Sequence, residues 1–140
     1  MSRIVVIDTG YWFALFEPRD ENHNQAKPKA AYIESMTVAF PWPVLYETLN
    51  TRLVKNRLGV DKFERIIKRS NVHRVDDTRY RNGALAETFR QALNGTRSIS
   101  LCDMVIRLML QDVRLKINAI LTFNPRDFSD VCQSAKVEML

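Results

Sequence analysis

The stretch Arg3-Ile4-Val5-Val6-Ile7-Asp8-Thr9-Gly10, followed at once by Tyr11-Trp12-Phe13-Ala14-Leu15-Phe16, decides how the chain is read. Four consecutive β-branched apolar residues without polar alternation suit a strand covered on both faces, as at the centre of a parallel sheet flanked by helices. Asp8 then stands at the strand's carboxyl end, the edge of an open α/β sheet where ligands bind. An Asp before a helix also serves as an N-cap that satisfies orphan backbone N–H groups, so the local sequence leaves both roles open.

The length of 140 residues predicts one domain, 1–140, large enough to bury most of its apolar surface without staples. A hydrophobic content of 46% with 26% charged residues is globular, and there is no repeat, linker or low-complexity run. Apolar stretches are broken by charge before they could span a bilayer, and no signal-like N-terminus is seen, so a soluble, cytoplasmic protein without membrane contact is expected. Cys102 and Cys132 lack metal-ligand spacing and read as packing residues in a reducing compartment. The formal charge of +5 favours a polyanionic partner. Its basic residues concentrate in the middle of the chain, from Arg52, Lys55 and Arg57 through Lys62, Arg65, Lys68 and Arg69 to Arg74, Arg79, Arg81 and Arg90. That segment is either a solvated face or a phosphate contact.

Around the first strand the rest follows in order. A short helix over 11–16 is stopped by Glu17-Pro18, and its aromatics read as core. A second helix is expected over 20–36, with Pro28 as an interruption, and then a buried strand over 37–40. Pro43 is placed to start a helix over 44–56 with Leu45, Leu49 and Leu53 on one stripe. Glu47 falls on the opposite side and in the first turn, where the macrodipole alone would favour an acid. Gly59 is expected to separate this helix from another over 60–69, ahead of a strand over 72–75 in which His73 is exposed. The segment 77–93 carries Leu85, Phe89 and Leu93 in helical register and stops at Asn94-Gly95. The segment 100–110 is apolar almost all round, with a polar arc of Asp103, Arg107, Gln111 and Arg114; Ser100-x-x-Asp103 can also be read as a capping box. A last central strand over 119–122 runs into the turn signal Asn124-Pro125, and 136–140 suits an edge strand.

Asp8, Glu47 and Asp103 thus each stand after a strand or near the start of a helix, with Asn124 and Asp127 after the last central strand. In a parallel sheet these positions share one edge. Carboxylates gathered without Cys or His ligands call for a hard divalent cation, magnesium or manganese. A dinucleotide-binding turn would need glycines that Asp8-Thr9-Gly10-Tyr11-Trp12 lacks, and an aspartyl-phosphatase pattern would need an acid where Gly10 stands.

Val-Ile-Asp8-Thr9-Gly10, Glu47, Ser-Leu-Cys-Asp103 and Ile-Leu-Thr122-Phe-Asn124-Pro-Arg-Asp127-Phe128 together resemble the PIN-domain family, most closely the compact VapC-type toxins, over essentially the whole chain. The resemblance implies a three-layer α/β/α fold with a short, mainly parallel central sheet. It implies a Mg2+-dependent (or Mn2+-dependent) endoribonuclease, a homodimer and a neutralising antitoxin. It carries metal ligation onto Asp8, Glu47 and Asp103 and a catalytic place onto Asn124, where the family often has Asp. Thr9 matches a small hydroxyl residue beside the first acid, and with Thr122, Asp127 and Arg107 it is assigned to substrate contact or to support of the ligands. Asn124 is expected to face the site, whereas Asp127, three residues on, is expected to cap a helix or pair with a base such as Arg126. The rival reading is a catalytically inactive PIN-like module that binds RNA or protein, its acids only capping helices.

Overall fold

The computed structural model describes residues 2–95 and 97–140. Five strands, β1 (Ile4–Ile7), β2 (Thr37–Pro41), β3 (Val72–Val75), β4 (Ala119–Leu121) and β5 (Glu138–Met139), form one sheet in the order β3-β2-β1-β4-β5. Every neighbouring pair is parallel, so all carboxyl ends lie at one edge. The β-branched run around Val5 and Val6 occupies the centre, both residues fully buried, in register with Val38 and Ala39 on one side and Ala119 and Ile120 on the other. Helices cover both faces of the sheet, giving a three-layer α/β/α arrangement. Among the described residues no helix is long and apolar enough to cross a membrane.

The helix after β1, α1 (Thr9–Phe16), delivers its aromatics to the core as expected. Trp12 is fully buried, stacked on Phe40 of β2 at 5.3 Å and on Phe16 at 6.1 Å. Phe63 completes the group from α6 (Arg57–Ile67), 5.2 Å from Trp12. Between these elements the chain breaks more often than the sequence suggests. The segment 20–36 is two helices, α2 (His23–Lys29), which contains Pro28, and α3 (Ala31–Ser35).

The expected helix over 44–56 is likewise divided, into α4 (Trp42–Thr48) and α5 (Thr51–Val54). Asn50 causes the division: its side-chain oxygen accepts from the backbone N–H groups of Arg52 and Leu53 at 3.0 and 3.2 Å, starting a new helix instead of continuing the old one. Leu49 is left 41% exposed, so the Leu45–Leu49–Leu53 stripe does not run unbroken. The next boundary is Asn56, not Gly59. Asn56 caps α6 by accepting from the Gly59 N–H at 3.0 Å, and a Cβ on Gly59 would stand 3.0 Å from the Asn56 amide nitrogen.

α7 (Thr78–Leu93) ends at Asn94, with Gly95 in the left-handed region at φ 69°. Its apolar stripe faces outward, Leu85, Phe89 and Leu93 being 44, 58 and 83% exposed. Tyr80 and Ala84 point inward, into a second apolar cluster with Met104, Val105 and Met109 of α8 (Leu101–Gln111). The chain closes through α9 (Ser129–Ala135) and the edge strand β5.

Because Trp12 joins three elements in one aromatic stack, Trp12→Ala is expected to cost about 3–5 kcal/mol of stability. Urea unfolding of the variant beside the parent chain checks this.

Candidate metal centre

Asp8 leaves β1 with its backbone N–H still on the ladder, donating to the Leu121 carbonyl of β4 at 3.0 Å. It then caps α1, but through the Thr9 N–H alone, which donates to Asp8 Oδ1 at 2.8 Å. Capping uses one carboxylate oxygen. The other, Oδ2, accepts from the Thr122 hydroxyl at 2.9 Å, and that hydroxyl in turn accepts the Asn124 N–H at 2.9 Å. Asp8 is therefore a cap and a fixed carboxylate at once, only 6% exposed.

Glu47 arrives from α4, where it lies in the last turn and not the first. The macrodipole thus disfavours its charge there, which removes the helix-start explanation for this acid. The side chain reaches the Thr9 hydroxyl, which donates to Glu47 Oε1 at 2.8 Å. Cys102 lies beside it as well, its thiol hydrogen-bonded to Glu47. Burial first, then the Glu47 charge and this hydrogen bond, push the thiol pKa up, so Cys102 stays protonated. The sequence pattern marked Cys102 only as packing; its contact with Glu47 could be read only once α4 and α8 were placed together.

Asp103 stands in the first turn of α8, where Ser100 Oγ accepts its backbone N–H at 3.1 Å. The cap engages the Asp103 backbone and leaves the carboxyl free to turn to Asp127, with which it shares a hydrogen bond. Its pKa is pushed up to about 8, by burial first, then by the Asp8 charge, then by Asp127 and Glu47. Asp8 is raised too, again by burial first, against the lowering effect of the Thr122 and Thr9 hydrogen bonds.

The last expected pair is arranged differently from the sequence reading. Residues Pro125–Asp127 form a 3₁₀ turn, in which positions three apart eclipse instead of diverging. Asn124 therefore donates from Nδ2 to Asp127 Oδ2 at 2.8 Å, and Asp127 faces Asp103, not Arg126. Asn124 is the more exposed of the two and reaches the cluster through Asp127. Arg107 does not face the crevice: it is 7% exposed and bonded to the Asp127 carbonyl and to Asp130. Sequence reasoning did not single out Asp130.

Among the described residues none of these four carboxylates forms an ion pair with a Lys or Arg side chain. Hard oxygen donors in a partly desolvated crevice without a counter-charge fit a hard divalent cation by charge and by donor type. Asp8, Glu47 and Asp103 are brought to one crevice but not closed into a cage. Among the described residues no three His, Cys, Asp or Glu side chains converge closely enough to hold an ion as they stand. A cavity of about 380 Å³ lined by Pro43, Tyr46, Arg81 and Leu85 adjoins the cluster at Cys102. A larger cleft of about 640 Å³, with Lys27, Lys62, Arg65 and Arg69 on its wall, holds none of the four acids. Of the basic middle segment, Arg65, Lys68, Arg69, Arg81 and Arg90 are each paired with an acid.

No family model and no curated protein matches the chain. Among solved structures it matches VapBC2 from Rickettsia felis, bound there to a DNA fragment from the promoter, at 13% identity and a TM-score of 0.60. The match covers 98% of this chain and 97% of that one. The chain has a PIN-like fold. Within the PIN-like fold the four acids sit at the carboxyl edge of the sheet, after β1 and β4 and on the helices α4 and α8.

The raised pKa of Asp103 sets a pH dependence. A group whose folded pKa lies above its unfolded value lends stability that is complete below the unfolded pKa and is lost as pH rises through the folded one. The Asp103 contribution to the stability of metal-free protein is accordingly expected to fall from pH near the unperturbed 3.8 up to about 8 and to level off above. Asp103→Asn is expected to flatten that decline. Urea midpoints of both proteins across this range check it; parallel curves would contradict the cause given for Asp103.

Proposed function

We propose that the chain is a Mg2+-dependent endoribonuclease, with Mn2+ able to substitute, and the toxin of a type II toxin–antitoxin pair. The carrying observation is the cluster of Asp8, Glu47, Asp103 and Asp127 at the carboxyl edge of a parallel sheet, with Asp8 buried, Asp103 and Asp127 half-buried, Glu47 exposed, and none of the four in an ion pair with a Lys or Arg among the described residues. The proposal includes a homodimer in the cytoplasm, an RNA substrate and a cognate antitoxin. The toxin–antitoxin part draws on the similarity in fold to VapBC2.

On this reading Asp8, Glu47 and Asp103 would hold the cation, with Asp127 beside them. The bound ion would neutralise charge on a phosphoryl group and ease deprotonation of water. The chain's own part is orientation. Thr122 and the Thr9 N–H fix the two oxygens of Asp8, the Thr9 hydroxyl holds Glu47, and Ser100 keeps Asp103 at the start of α8. Asp103, its pKa raised first by burial and then by the Asp8 charge, keeps a proton while the crevice lacks positive charge. Asn124 adds a neutral amide, which steadies Asp127 without adding to the repulsion.

A second reading, an inactive PIN-like module that binds RNA or protein, is favoured by one observation, that no three of the ligating side chains converge. The two readings differ in what magnesium does. On the enzyme reading Asp8→Asn and Asp103→Asn keep the fold but reduce Mg2+-dependent RNA cleavage to background. The parent chain then gains thermal stability from Mg2+, and both variants gain less. A parent chain that neither cleaves RNA nor responds to Mg2+ in melting would favour the inactive module.

A further inference from the structure

Asn124 Nδ2 holds one oxygen of the Asp127 carboxylate at 2.8 Å, but the backbone that carries both residues has only a single 3₁₀ turn of regular structure to fix it. Two arginines from outside the turn anchor that backbone. Arg107, one turn beyond Asp103 on α8, donates from Nη1 to the Asp127 carbonyl at 2.7 Å and to Asp130 Oδ1 at 2.7 Å, and from Nη2 to Asp130 Oδ2 at 2.8 Å. Arg97 pairs with the same Asp130 at 3.2 Å and donates to the Arg126 carbonyl. The segment from Arg126 to Asp130 is thus tied to α8 and to the chain ahead of it by charged groups, at two carbonyls and one carboxylate.

The geometry excludes substrate contact for Arg107. It is buried, and its two terminal nitrogens are committed to Asp127 and Asp130, so no face of the guanidinium is open to a phosphate. A forked, bidentate pair fixes orientation as well as distance, which a lysine cannot reproduce. We infer that Arg107, locked by Asp130 and Arg97, is a positioning residue that holds the Asp127 carboxylate beside Asp103 and thereby sets the affinity of the acidic cluster for a divalent cation. This rests on the metal reading of the cluster. The sequence carries the parts without showing the assembly: Arg107 follows Asp103 by four residues and Asp130 follows Asp127 by three, so each clamp residue sits about one turn from the acid it serves.

The test is Mn2+ binding to the full chain by calorimetry, independent of catalysis. Arg107→Met, which keeps the length of the stem and removes the fork, is expected to weaken Mn2+ binding about tenfold or more, the usual scale for a group that orients a ligand. Introduced into Asp127→Asn it is expected to cause no further loss, which a merely structural role for Arg107 would not produce. Asp130→Asn, at a half-exposed position, provides a milder variant should Arg107→Met not fold, and is expected to weaken binding in the same direction. Folded variants that bind Mn2+ like the parent, or losses that add fully to that of Asp127→Asn, would overturn the inference while leaving the metal reading intact. A parent chain that binds no Mn2+ would overturn both.

Discussion

Asp8 cannot move away from its neighbours. Its backbone is still hydrogen-bonded to β4, one carboxylate oxygen is taken by the first N–H of α1, and the other by Thr122 at the end of β4. The central strand is buried on both faces, so the carboxylate at its end is desolvated and has little freedom to turn outward. Everything else at this edge is arranged around that fixed negative charge. Asp103 answers it by keeping a proton at pH values where a carboxylate in water would be ionised.

The supporting groups share a common physical character: they orient acids without neutralising them. Thr9 and Thr122 donate hydroxyl protons, Ser100 binds a backbone N–H, Cys102 offers a thiol and Asn124 an amide. The arginines nearby act on the backbone and on Asp130 instead. A crevice built this way keeps its charge deficit. Folding stability is lowered by such an arrangement, and the stacked core of Trp12, Phe16, Phe40 and Phe63 behind it supplies the apolar burial that offsets it.

The central strand and the buried helix α8 could be read directly from the sequence, because burial on both faces leaves an unbroken apolar run. Glu47 was misplaced along its helix because Asn50 starts a new one, a competition between side chain and backbone that periodicity does not register. Asp127 was turned the wrong way because the residues after Asn124 wind as a 3₁₀ turn, in which three positions make a full turn. The stripe Leu85, Phe89 and Leu93 was in register as expected, yet periodicity says only that residues share a face, not that the face is covered. The Arg107–Asp130 pair bridges α8 and α9, a contact that only the packed fold creates.

The central claim is that the charge deficit around Asp8 is filled by a divalent cation. Anomalous diffraction from crystals soaked in Mn2+, recorded at the manganese edge, tests it most directly. The account predicts a peak within coordination distance of Asp8 and Asp103, with Glu47 or Asp127 drawn toward it. Full occupancy of other sites with no anomalous density at these carboxylates would contradict it.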